Sequence, residues 1–500
     1  MAELDNNILV VVEPTIRPTK VEVPRLDEDK EADKQSKAVG TDEPYVIINE
    51  YNFTPTDTEY MSLNISGKYP TLFITLRDSA GGFDIAQYPR DGDHITLYIN
   101  SKNQETFKSI HMDFDIVSIT SPPAGLPHSE RSYTFEGVAK IPGLYSEDCR
   151  SFSNSTSLDH IEQIANSLGL GVATNIDSTT DEQTRIQAYD RTIDFIQNMV
   201  DTSYVAEEAF QTFYIDQYYY LNFIEINKIF NSKNVKGDDA QDVIASFDKS
   251  FSQESGTEDN DQVGGKLYLT NNQTAEGTGQ KISEFSLENN SSTISLNNGY
   301  KRTLSMYDDL EEVDKVVEFD IESFTSTNLR DSEEPLKGRR NEKHYDTHVK
   351  HKYIGRQQDV NIEGNVHSNH KYSFLNNYQN LVELGKLQMI VDLQQFNPSL
   401  YKFQKIPVIM YHVEPTKVEG AKNEEKLQKE KGVKTEDKAV DFKNKGEGVT
   451  GHDEAKLDDF LSGHYIIGGI EYIYESGMKS MRQRLTLLRR EWPILTNTLD

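Results

Sequence analysis

Five hundred residues carry 52 Lys+Arg against 82 Asp+Glu, a formal charge of −30. Such a surface repels phosphate and excludes tight, nonspecific nucleic-acid binding, although it can still surround DNA. The single cysteine, Cys149, excludes an internal disulfide framework and fits a reducing cytoplasm. No apolar run approaches the roughly eighteen residues of a membrane helix, and the acidic N-terminus does not read as a signal peptide, so no membrane anchoring is expected.

The chain opens with a proline-punctuated stretch (Pro14, Pro18, Pro24) that gives way to "LDEDKEADKQSKAVGTDEP". This predicts an extended or disordered arm over residues 1–44. From residue 45 to 150 the pattern is short β segments: "TLFITLRD" at 71–78, "HITLYIN" at 94–100, "DFDIVSI" at 113–119 and "SYTFEGVA" at 132–139. Each alternates apolar with polar residues, so one face enters a core and the other meets solvent. Turn-rich stretches ("SAGGF", "RDGD", "SPPAGLP") separate them, as in a small barrel or sandwich.

Helical spacing follows. Leu158, Ile161, Ala165 and Leu168 share one face behind a Ser/Thr cap, with Gly169 suited to the exit. Ile193, Ile196 and Val200 mark a second helix, and two aromatic-rich strands flank Asp216-Gln217, giving an α/β domain over 151–235. An acidic linker or loop occupies 236–265. Within 266–500, residues 300–370 give no clear pattern and "YSFLNNYQNLVELGK" reads as a helix. Two strands then flank an Asn-Pro turn in "LQMIVDLQQFNPSLYKFQKIPVIMY", and a charged insert over 417–459 precedes the closing hairpin.

No constellation argues for catalysis or a cofactor. His344, His348 and His351 would share a helical face, with His367 and His370 nearby, but their surroundings are charged and weakly helical. Asp259 and Asp261 begin like a calcium loop, yet Val263 takes the third ligand position and no closing Glu follows. Acids beside Cys149 disfavour its thiolate. Neither a nucleophile elbow nor a phosphate or dinucleotide loop is present, and 82 acids make any carboxylate pair uninformative.

Two stretches resemble the baseplate hub proteins of contractile-tailed phages, a tube-domain family that includes late-control D proteins and type VI secretion spike hubs. The first runs from Ser157 to Glu225 and carries a helix ending in Leu-Gly, a "TN" before a polar loop, a helix before "SY", and the aromatic strand "YIDQYYYLNF". The second joins "LQMIVDLQQFNPSLYKFQKIPVIMY" to "LSGHYIIGGIEYIYESGMKSMRQRLTLLR" across a variable insert. Together they cover about 140 residues.

The resemblance implies an α+β, β-rich fold: two small β-barrel tube domains, over 45–150 and 266–500, flanking or interleaved with the α/β domain, plus charged insertions. It further implies a structural, non-enzymatic homotrimer whose pseudo-sixfold ring joins a hexameric tail tube, or its initiator, to a trimeric central spike. Other baseplate proteins and the tape measure protein are further candidate partners, and genome DNA passes through without specific binding. The expected location is the virion tail baseplate, assembled in host cytoplasm. Alternatives are another baseplate or tube-initiator component, or a tail-associated peptidoglycan hydrolase. The arm, the acidic stretch and the charged insert depart from the family and inherit nothing from it.

In the last strand Met481, Gln483, Leu485 and Leu487 point to one face, and Arg482, Arg484, Thr486 and Leu488 to the other. Arg482 and Arg484 thus lie on the outer face, followed by Arg489 and Arg490 at the strand end, and the four are candidate contacts to an acidic face of a neighbouring subunit, arginine being suited to forked carboxylate bonds. The competing reading is local charge balance with Glu471, Glu475 or Glu491. Gly468-Gly469, within the preceding strand, mark a bulge or a barrel bend.

Overall fold

Period-two patterning is realised almost residue for residue. The computed structural model describes residues 8–20, 43–78, 83, 88–99, 109–121, 131–206, 209–231, 268–272, 279–290, 301–308, 313–320, 334–335, 348–354, 369, 373, 377, 384–385, 387–394, 396–398, 400–413, 455–458, 460–477, 481–489 and 491–492. An arm strand, β1 (Leu9–Val12), precedes β2 (Pro44–Ile48), β3 (Tyr51–Phe53), β4 (Thr58–Asn64), β5 (Thr71–Asp78), β6 (His94–Ile99), β7 (Ile110–Thr120) and β8 (Arg131–Ala139). Leu72, Ile74 and Leu76 of β5 are buried while Thr71 and Phe73 face outward, so the alternation sorts the two faces as expected.

The middle of the chain holds β9 (Glu147–Ser155), α1 (Ser157–Leu168), β10 (Gly171–Thr174), β11 (Gln183–Arg191), α2 (Thr192–Thr202), β12 (Gln211–Ile215), β13 (Tyr220–Glu225) and α3 (Ile226–Asn231). A capping box starts α1: Thr156 accepts from the Asp159 backbone N–H, and the Asp159 side chain accepts from that of Thr156. Gly169 ends it at φ 74°, in the left-handed region. β9 and β11 form a separate two-stranded antiparallel sheet that packs on the helices through Phe152 and Arg185 and was not legible in the sequence.

β14 (Tyr268–Thr270) and β15 (Gly279–Asn289) follow. Then come β16 (Lys301–Asp308), β17 (Val313–Asp320), β18 (Glu334–Pro335) and β19 (His348–Ile354), in the region that the pattern left unassigned. His348 and His351 lie on strand β19, while His344, His367 and His370 lie outside the described residues. The module ends with β20 (Leu387–Leu393), β21 (Lys405–Ile409), β22 (Tyr411–Val413), β23 (Ala455–Leu457), β24 (Gly463–Glu475), β25 (Arg482–Arg489) and β26 (Glu491–Trp492). The linkers at 21–42 and 236–265, with Asp259, Asp261 and Val263, lie outside the described residues, as do Arg490 and most of the 372–386 helix and the 417–459 insert.

Six strands, β21-β14-β15-β20-β25-β24, close into a barrel because β21 also pairs with β24. The same sheet continues from β24 through β4, β5, β8, β7, β6, β2 and β3, so both β-rich parts share one strand. β24 makes this possible by changing neighbours. Gly463–Ile466 pairs with β21, Glu471–Glu475 pairs with β4, and the register with β25 shifts between Ile467 and Gly469. Only glycine fits at the changeover. A Cβ on Gly468 would lie 2.3 Å from Leu488 Cδ1, and one on Gly469 would lie 2.2 Å from Ser66 Oγ.

The arm is docked along the α/β unit, an organisation that its proline-rich sequence did not reveal. β1 pairs antiparallel with β10, making the order β1-β10-β13-β12, and Ile8 is buried. Thr15 and Ile16 then donate their backbone N–H groups to the Gly169 carbonyl at 2.9 and 3.1 Å. The arm ends in a polar clamp on the first sheet: the Thr19 N–H and hydroxyl both donate to Asp113 Oδ2, at 3.0 and 2.9 Å. Because that hydroxyl donates to Asp113, His94 Nε2 donates to it at 2.9 Å, and His94 Nδ1 accepts from Lys140 at 3.0 Å. His111 Nε2 donates to the Thr19 carbonyl at 2.9 Å.

Gly169 is where strap and helix meet. A Cβ there would lie 2.9 Å from Thr15 Oγ1 and 3.0 Å from Ile16 Cγ1, on a backbone already left-handed. Gly169→Ala is expected to lower stability by about 1–2 kcal/mol. Hydrogen exchange should speed up over residues 9–16 first; unchanged protection there would show that the strap tolerates the methyl group.

Candidate assembly face

β25 carries the arginines, and its two faces have different fates. Met481, Gln483, Leu485 and Leu487 are all buried, as the alternation requires. Outward, Arg484 makes a forked contact with Asp392 of β20: Nε donates to Oδ1 at 2.7 Å and Nη2 to Oδ2 at 3.1 Å. Its Nη1 also lies 3.6 Å from Glu471 Oε2 on β24, and Ser62 of β4 donates to Glu471 Oε1 at 2.5 Å. Asp392, Arg484 and Glu471 stand in register, so a polar ladder crosses four strands from the barrel into the neighbouring sheet.

The four arginines are therefore not equivalent. Arg484 is engaged within its own chain, by Asp392, which no local sequence signal indicated, as well as by Glu471. Arg489 has the same parity as the core set and is only 3% exposed; it stacks 5.4 Å from the Tyr465 ring and donates to the Ser462 carbonyl at 3.3 Å. Its enclosure corrects the expectation of an outward-facing strand end, because alternation turns residue 489 inward. Arg482 is exposed and makes no ion pair among the described residues. Arg490 lies outside them.

The face around Arg482 continues across the seam. Arg482 is opposite Ile473, Ile473 is opposite Ser62, and Ser62 is opposite Phe73, so these side chains form one cross-strand row. Phe73 is 40% exposed, with Tyr60 edge-on at 5.9 Å. It borders a shallow groove of about 290 Å³ whose other wall includes Val117, Glu136 and Val138. Val117 is 64% exposed because the β7 register shifts between Ile116 and Ser118 and turns it out of the sheet.

Behind this face a buried lysine ties three parts of the chain together. Lys402 donates to the carbonyls of Ser66 and Gly67 at 2.6 and 2.7 Å, and sits 5.3 and 5.2 Å from the Tyr214 and Phe403 ring centroids. Tyr214 of the α/β unit donates its hydroxyl to the Lys402 carbonyl at 3.0 Å. Burial pulls the Lys402 pKa down to about 7, while the carbonyls and ring faces favour the ammonium form. Among the described residues no group of three or more His, Cys, Asp or Glu is placed to hold a metal ion.

No protein-family model matches the chain, and no curated protein matches it by sequence. Solved structures do resemble it. The 43 kDa tail protein of prophage MuSo2 from Shewanella oneidensis aligns at TM-score 0.47 and 8% identity, over 90% of this chain and 98% of that one. A tail protein from Neisseria meningitidis gives 0.45 and 9%, over 89% and 96%. A type VI secretion component from E. coli gives 0.40 and 9%, over 90% and 77%.

Two stability measurements separate these roles. Arg484→Gln removes a forked, half-exposed contact and leaves Asp392 without it, so a loss of about 1–2 kcal/mol is expected in urea, whereas Arg482→Gln should stay within about 0.5 kcal/mol. Equal effects would contradict the ladder. For Lys402, a folded pKa near 7 lies below the usual lysine value, so the unfolded chain binds more protons between about pH 7 and 10.4. Wild-type stability should rise with pH across that window relative to Lys402→Met; parallel curves would mean that the carbonyls and rings keep the lysine charged throughout.

Proposed function

We propose that the chain is the structural hub of a contractile phage tail baseplate, a non-enzymatic homotrimer whose pseudo-sixfold ring joins the hexameric tail tube, or its initiator, to a trimeric central spike. The observation that carries this reading is the shared strand. The C-terminal stretch that resembles the hub family supplies four of the six strands of a closed barrel, β14 and β15 supplying the other two, and its strand β24 extends directly into a second sheet built from the N-terminal β segments. One chain thus offers two β-rich parts side by side. Three chains would offer six, which is the arithmetic of a threefold object facing a sixfold tube.

In this reading residues 45–150 and 266–500 are the two tube domains and 151–235 is the α/β domain between them. The location is the virion tail, with assembly in the host cytoplasm beside other baseplate proteins and the tape measure protein. The charge of −30 per chain is consistent with a channel through which DNA passes without adhering.

Mass photometry of the purified chain, with negative-stain imaging of what forms, tests the reading. Threefold rings with an open centre are expected. A stable, closed sixfold ring would overturn the hub in favour of a tube component.

A further inference from the structure

We propose that the ring closes head to tail, with Tyr189 of one copy seated in the groove between Phe73 and Val117 of the next, and Arg482 of that copy meeting the acids beside Tyr189. This rests on the trimeric reading above and names the contact by which it would be built.

The knob is Tyr189, at the exposed end of the β9–β11 ribbon, whose other end packs on the helices through Phe152 and Arg185. It is 74% exposed and sits at φ 59°, where the ribbon register shifts between Ala188 and Asp190. A left-handed backbone is costly for an aromatic residue, and such strain recurs at binding sites. Here the bulge turns a large ring into solvent, and among the described residues no hydrogen bond or ring contact is made by its side chain. Asp190 follows it directly, Asp148 lies opposite Asp190, and Glu147 lies opposite Arg191. Asp148 is engaged by Arg150 at 3.2 Å and Arg191 by Asp194 at 2.7 Å, leaving Glu147 and Asp190 without an ion pair among the described residues.

The hole has the complementary features. Phe73, Val117 and Val138 give it apolar walls, its volume of about 290 Å³ is large enough for one aromatic side chain, and Glu136 on its rim can accept a hydrogen bond from the tyrosine hydroxyl. Gly137 lines the same groove and lets β8 pack closely on β7: a Cβ there would lie 3.0 Å from Phe114 Cβ. Arg482 lies three strand spacings along the row from Phe73, about 14 Å away, where it faces the acidic flank of a seated ribbon. At the Arg482 end charge favours this occupant: a cation that makes no ion pair among the described residues meets an acidic ribbon whose aromatic tip needs an apolar seat. Knob and hole are unlike surfaces of one chain, and such heterologous contacts generate a ring when the rotation between copies closes, as the threefold reading requires.

The test uses the full chain in a Cys149→Ser background. Tyr189→Cys combined with Val117→Cys should give covalent oligomers up to the trimer on oxidation, while a mixture of the two single variants stops at dimers. Tyr189→Asp and Arg482→Glu should each raise the concentration for ring assembly at least tenfold, and Glu147→Arg with Arg482→Glu should restore much of it. Unchanged thermal unfolding would show that these exposed variants remain folded. Rings of wild-type stability in Tyr189→Asp, with no crosslink in the double variant, would overturn the contact and leave the hub standing. A wild-type chain that forms no oligomer, alone or with tail-tube and spike proteins, would remove the hub reading and the contact with it.

Discussion

One strand cannot pair with two partners along the same stretch of edge, and the architecture is a solution to that constraint. β24 gives its first residues to β21, which closes the barrel, and its last residues to β4, which carries the sheet onward. Between them the backbone must bulge, and Gly468 and Gly469 remove the side chains that Leu488 and Ser66 would otherwise strike. The barrel and the second sheet are consequently not separate bodies on a tether. Their relative orientation is set by backbone hydrogen bonding and reinforced by the Asp392–Arg484–Glu471–Ser62 ladder on the outside.

The α/β unit is held by a different kind of contact. Much of its inner surface joins the continuous apolar core, but what fixes its position is polar: Tyr214 and Lys402 on one side, and the Tyr219 hydroxyl accepting from the Asp113 N–H on the other. Directional bonds of this sort cost little when satisfied and much when broken, so they select one docking geometry from the many that apolar packing alone would tolerate. The arm adds a third fixing point by running from β10 to Asp113.

Local patterning disclosed what depends on neighbours within about ten residues. β5 matches its expected span, α1 has its cap and its glycine exit, and the core face of β25 follows from alternation alone. Partners far along the chain were not legible. β1 is four residues long, and its strand character comes from pairing with β10. In the β9–β11 ribbon β9 is largely exposed and the inward residues of β11 are polar (Gln183, Arg185 and Gln187), so it lacks the apolar stripe by which strands are recognised. For the arginines, parity already turned residue 489 inward, but grouping it with the strand end obscured this. The Asp392 partner of Arg484 could be found only from the order of strands in the barrel.

The β4–β24 pairing also has a consequence in time. Ser62 and Glu471, which hydrogen-bond across it, are separated by 409 residues. A ribosome adding about 5–20 residues per second would leave the edge of β4 unpaired for about 20–80 seconds. Throughout that interval the nascent chain presents an open, strand-ready edge, which is the circumstance that favours mispairing between neighbouring chains. Final closure therefore waits for the end of translation, and the nearly complete chain is the stage at which aggregation and chaperone dependence should be greatest.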